Sequence, residues 1–196
     1  MMMGELSFPP IQIDVGSLVQ RSVATLYSHL VTRPTGRAVR LAIESLLADA
    51  GDTALSLIDL SEVSVLDFSC ADEVVAKLLL KYLDADRPRE AYFVILGLSD
   101  IHREPIEVVL ERQQLATVAQ REDGTYELLG VRSGSEDSVW RVVETHGRIR
   151  SDEVSLLLPA PEDRTALRGL VRRRVVFADV RSGTVHALSK LAAGTT

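Results

Sequence analysis

The stretch "TALSLIDLSEVSVLDFSCADEVVAKLLLKYL", residues 53–83, constrains the fold more than any other. Leu55, Leu57, Ile58 and Leu60 form an almost unbroken apolar run. A run of that kind reads as a strand covered on both faces, not as the alternating strand of a half-exposed sheet. It passes through a bend, turns at Asp67-Phe68-Ser69-Cys70-Ala71, and becomes a strong helical pattern. Asp72 and Glu73 favour the positive end of that helix. Its N-cap is Ser69 or, two residues earlier, Asp67.

The same alternation continues on either side. "IQIDV", residues 11–15, reads as a short strand, and "GSLVQRSVATLYSHLV", residues 16–31, has helical spacing at Leu18, Val19, Val23, Leu26, Tyr27 and Leu30. A helix follows from Pro34 to Gly51, with Val39, Ile43, Leu46 and Leu47 as its apolar stripe. Ala91 to Leu98 reads as a further buried strand. A helix is expected from about Pro105, and "DGTYELLG" as a strand after an Asp-Gly turn. Strands alternating with helices imply an α/β domain over residues 1–132.

"VRSGSEDS", starting at Val131, marks the domain boundary, and the charge balance changes sign there. Residues 1–135 hold 12 Lys and Arg against 20 Asp and Glu, 12 − 20 = −8; residues 136–196 hold 10 against 8, 10 − 8 = +2. Residues 133–196 read as three helices (Glu136–Thr145, Ser151–Leu158 and Pro161–Arg173) and a hairpin, "RVVFADV" and "GTVHALS", joined at Arg181-Ser182-Gly183. That order is a winged helix-turn-helix pattern.

One cysteine, Cys70, leaves no partner for an internal disulfide and too few thiols for a cysteine metal cluster. The expected setting is a reducing cytoplasm. The start has no basic region followed by a long apolar run, and no stretch reaches the roughly 18 apolar residues of a membrane span. No cofactor, metal site or membrane association is expected, and the net charge of −6 argues against general nucleic-acid binding by the whole chain.

Three groups of residues carry possible chemistry. Asp67, Ser69 and Cys70 stand at the strand-to-helix turn. Their readings are a cap, a regulatory docking or phosphorylation site, and a nucleophile at a helix N-terminus. Arg33, Thr35, Arg37 and Arg40 gather around a helix start in "TRPTGRAVR". They would hold an anion or an acidic partner, or pair with nearby carboxylates. Arg164, Arg168 and Arg172 repeat every four residues, with Arg173 and Arg181 beyond them. They form a face for DNA phosphates or for a protein partner. Glu162 and Asp163 stand where recognition helices meet base edges, and would repel DNA there.

"LSLIDLSEVSVLDFSCADEVVAKLL" resembles the STAS domain of anti-sigma-factor antagonists, in which a strand and bend lead into a D-S-S-G-like turn that opens a helix. The resemblance spans roughly residues 38–130 and implies a mixed sheet with covering helices. Phe68 stands where that family has its phosphorylated serine and Cys70 where it has glycine, so the usual phosphoswitch is not implied. The C-terminal segment resembles the winged-helix domains of transcription regulators. Together the two imply a non-enzymatic signalling or transcription-regulation protein. Its partner is a kinase, sigma or anti-sigma factor, or DNA, and homodimers are compatible. The alternative is a small phosphate-handling enzyme or phosphoprotein switch that uses Ser69 or Cys70.

Overall fold

The computed structural model describes residues 11–14, 29–50 and 52–193, the first four by their backbone. The helix expected over residues 16–31 lies mostly outside the described residues. Its last members, His29 and Leu30, form a two-residue strand instead.

Strands β1 (Ile11–Asp14), β3 (Thr53–Asp59), β5 (Glu90–Leu98), β6 (Ala116–Arg121) and β7 (Tyr126–Gly130) form one sheet in the order β1-β3-β5-β6-β7. The first four run parallel and β7 returns antiparallel. Strands β2 (His29–Leu30) and β4 (Val65–Leu66) pair parallel as a separate short ladder. Helices α1 (Arg33–Ala48) and α3 (Asp100–Arg112) flank α2, which runs on through three pieces: an α-helical Phe68–Ala71, a π-helical Asp72–Lys77, and an α-helical Leu78–Leu83.

The near-continuous apolar strand has the two covers it calls for. Ala54 and Ile58 of β3, and Ala91, Phe93 and Ile95 of β5, join the core under α1, α2 and α3. Leu55 and Leu57, with Tyr92 and Val94, point to the other face. There they meet Trp140, Phe177 and Leu188 of the C-terminal segment. The alternation follows the period-two geometry of a strand. The described residues therefore form two cores, one on each face of the five-stranded sheet.

The C-terminal segment comprises α4 (Gly134–His146), β8 (Arg148–Arg150), α5 (Val154–Leu157), α6 (Pro161–Arg172), β9 (Val176–Asp179), β10 (Thr184–Ala187) and α7 (Leu188–Ala193). Its strands form an antiparallel sheet in the order β8-β10-β9. The stretch at the expected boundary is tied down: Val131 N–H donates to Leu115 C=O at 2.8 Å, and Ser133 forms a capping box with Glu136.

Besides β2 and β8, which the sequence reading did not include, four elements differ from the sequence expectation. Helix α3 starts at Asp100, not at Pro105, which lies inside it. His102 sets that start: its Nδ1 accepts from Ser99 N–H at 3.4 Å, and its Nε2–H donates to Val63 C=O at 2.7 Å. Residues 116–121 leave the helical pattern because Gln114 turns left-handed (φ 57°) and Leu115 N–H closes back on Leu110 C=O. The helix expected over 151–158 is a single turn, Val154–Leu157. The end of the hairpin is helical, since Leu188 begins α7.

Candidate functional site

Asp67 is the N-cap of α2. Its Oδ1 accepts from Cys70 N–H at 2.8 Å, and Ser69 Oγ–H donates to the same carboxylate at 2.9 and 3.0 Å. Of the two cap readings, the earlier residue holds the role, because a cap accepts from the N–H three positions on. Ser69 stabilises the cap without being it. Cys70 is buried, and its thiol donates to Thr32 C=O at 2.9 Å. Burial, then the neighbouring Asp67 carboxylate, push that thiol up to about 12. It stays protonated at neutral pH, so the helix N-terminus does not generate a thiolate here. Exposed apolar side chains, Phe68 and Val65, flank the turn.

The arginines of α1 face a different feature. Thr32 caps the helix, accepting from Thr35 N–H at 3.3 Å, and Pro34 occupies its first turn. Gly36 is buried where α1 crosses α2: a Cβ there would lie 2.8 Å from Cys70 Cα. That approach brings the positively charged face of α1 against Glu73, which is 2% exposed. Arg33 Nη1 reaches Asp72 at 2.7 Å and Glu73 at 3.0 Å. Arg40 Nε donates to the other Glu73 oxygen at 3.1 Å, and its Nη1 to Glu44 at 2.6 Å. Lys77 bonds Glu73 from the same helix. Burial pushes the Glu73 carboxyl up, but hydrogen bonds from Lys77, Arg33 and Arg40 outweigh it and hold the group below its ordinary value. Arg37 is exposed beside them. Arg33, Pro34, Arg37, Arg40, Glu73 and Lys77 line an open groove of about 400 Å³.

Glu73 and Lys77 were not singled out as site residues by sequence. The available signal was their i, i+4 spacing. Their convergence with α1 depends on a crossing that spacing cannot reveal. Thr35 lies at the edge of the cluster, with its hydroxyl 2.8 Å from that of Thr32.

On α6 the arginines separate by role. Ala166, Leu167, Gly169 and Leu170 are buried, and Arg168 and Arg172 project from the exposed face. Arg164 is half-buried and donates to Pro159 C=O at 3.1 Å. Arg173 turns inward, donating to Val131 C=O at 2.5 Å and facing Glu136 at 3.5 Å. Arg181 lies in the β9–β10 turn, where its N–H donates to Asp179 at 2.9 Å. Val180, beside it, is 92% exposed, and Leu156 on α5 is 81% exposed. The two arginine sets and the Asp67 turn thus do not form one pocket by contact: Asp67, Ser69 and Cys70 serve the start of α2, and the α1 arginines meet its π-helical turn.

Among the described residues no group of three or more His, Cys, Asp and Glu is placed to hold a metal ion, and no helix is long and apolar enough to cross a membrane. Comparison of the chain with protein-family models, with curated proteins and with solved structures finds no match.

Proposed function

We propose that the chain is a non-enzymatic regulator. In this reading a STAS-like α/β domain is coupled to a winged helix-turn-helix unit, and the exposed face of α6 with the β9–β10 wing contacts DNA phosphates. The order α4, β8, α5, α6, β9, β10 and the strand order β8-β10-β9 agree with a winged helix-turn-helix unit. The observation that carries the reading is that Arg168 and Arg172 are exposed and form no ion pair among the described residues. Arg141, Arg150, Arg173 and Arg174 in the same part of the chain are all paired. Glu162 and Asp163 at the N-terminus of α6 disfavour contact with base edges. Arg168, Arg172 and Arg181 therefore act on phosphates.

Fluorescence anisotropy of the full chain on mixed-sequence duplex DNA, across a salt titration, tests this. The expected result is binding that weakens steeply with salt. Arg168→Glu/Arg172→Glu removes it and leaves the melting temperature unchanged. Absence of binding at low salt overturns the DNA assignment. A second reading has its own observation: Leu156 and Val180 put large apolar side chains in solvent around α6. Such residues suit a protein partner, such as a kinase, sigma or anti-sigma factor. Under that reading Leu156→Asp/Val180→Asp abolishes partner binding and the arginine pair matters less.

A further inference from the structure

We propose that the groove between α1 and the π-helical turn of α2 binds a small ligand through a phosphate group, with Arg33, Arg37 and Lys77 as the phosphate contacts. Glu73 is the positioning residue that holds the cations. The proposal is independent of the DNA reading, which rests on other residues.

The charge balance comes first. The first 135 residues carry a net charge of −8, yet Arg33, Arg37, Arg40, Lys77 and Lys81 converge on one surface. The carboxylates among them are Glu44, Asp72 and Glu73, so the cluster has 5 − 3 = +2. Opposite charge recruited to neutralise an acidic surface would leave no such excess.

The second point is how the pairs are built. Glu73 is buried and receives three cations, although one would balance its charge. Buried ion pairs add little stability compared with packed apolar groups. Their effect here is to fix direction: Glu73 takes Arg33 on one oxygen and Arg40 on the other. A site that recognises an anion needs its donors locked in place by a supporting layer of this type. Arg33 and Lys77 stay half-exposed, with 51% and 42% of their side chains in solvent, so they have donors left for a ligand.

Arg37 is the third point. It lies one turn from Arg33 on the same face of α1 and lines the groove, and its side chain has no hydrogen bond or ion pair among the described residues. An exposed arginine with no partner, between two that are anchored, is placed to close on a ligand. The backbone adds to this. The π-helical turn Asp72–Lys77 carries both Glu73 and Lys77, and such turns recur at functional sites. Gly36 allows the close crossing that brings α1 to it.

The ligand class follows from geometry. Guanidinium forks match the oxygens of phosphate, and an excess of two positive charges matches a phosphate monoester dianion. A groove of about 400 Å³ suits a small molecule. Pro34 gives it an apolar wall for the body of an organic ester.

The test is a titration of the full chain with inorganic phosphate and, separately, with phenyl phosphate, at constant ionic strength set by chloride. Heat of binding and melting temperature are read together. Saturable binding that raises the melting temperature is expected. Arg37→Ala supports no other part of the fold, so its unliganded melting temperature stays unchanged. Its affinity falls by about tenfold to a hundredfold, the loss of a charge-assisted contact. Arg112→Ala, at an exposed arginine of α3 that does not line the groove, binds as the parent does. Tighter binding of phenyl phosphate assigns the groove to organic monoesters, and equal binding assigns it to the phosphate group alone. Absence of saturable binding to both, or equal affinity in the parent and Arg37→Ala, overturns the proposal.

Discussion

Arg174 lies over the ring of Tyr92, its guanidinium carbon 5.2 Å from the ring centroid. The two residues belong to different parts of the chain: Tyr92 is on β5, and Arg174 follows α6. The same guanidinium pairs with Glu90, and Tyr92 meets Phe177 edge-on at 5.2 Å and 86°. Tyr92 is thus clamped by the C-terminal segment on the face of the sheet that α1 to α3 leave open. That contact makes the second core a joint product of both halves.

Arg174→Ala removes the cation–π contact and half of a partly buried ion pair. One guanidinium nitrogen, Nη1, is buried without a partner, which offsets part of the gain. The expected loss is about 1–2 kcal/mol. At this chain length that lowers the melting temperature by roughly 2–4 °C per kcal/mol. Because Leu55, Tyr92, Trp140 and Phe177 share one core, calorimetry of the parent shows a single cooperative transition. Two separated transitions, with Arg174→Ala shifting only one, would show that the halves fold independently.

The Glu73 cluster sets an acid limit on stability. The folded-state carboxyl is held below its ordinary value, whereas the unfolded chain titrates it near ~4.3. A depressed carboxyl contributes stability that is complete above the unfolded value and is lost as pH falls through the folded one. Glu73→Gln lacks that contribution at every pH. Denaturant melts should find the parent more stable than Glu73→Gln at pH 7, and the gap should shrink as pH falls below about 4. A gap of the same size at pH 3 and pH 7 contradicts an ionised Glu73 at the centre of the cluster.

Burial pattern was the part of the structure most legible in sequence. Leu55, Leu57 and Ile58 announced a strand covered twice, and β3 has helices on one face and Trp140 and Phe177 on the other. What sequence did not state was that the second cover is the C-terminal segment, since periodicity does not name the partner of a face. Strand β6 was missed because Leu115, Val118 and the Gln pair before them extend the helical spacing of α3; only the left-handed Gln114 breaks it. Leu46 matched the apolar stripe of α1 but is 42% exposed, while Gly36, which no hydrophobic pattern includes, lies at the crossing. The arginines of α1 were legible as a cluster. Their anchor was not, because Glu73 reads locally as a helix-dipole residue and gains its second role only where two helices meet.

The turn at Asp67 allows the two cap readings to be separated by measurement. Asp67 satisfies Cys70 N–H and receives Ser69 Oγ–H, whereas the Ser69 side chain bonds, among the described residues, to that carboxylate alone. Asp67→Ala therefore leaves a backbone donor unpaired at the start of α2 and removes a negative charge from the positive end of the helix. The cost is about 0.5–2 kcal/mol. Ser69→Ala removes a supporting bond on a half-buried side chain and costs about 0.5 kcal/mol or a little more. In Asp67→Ala the serine has lost its acceptor, so adding Ser69→Ala should cost almost nothing further. Chemical denaturation of the parent, both single variants and the double variant measures this coupling directly. If Ser69 were the cap, the order of the single variants would invert, and Ser69→Ala would be the costly one.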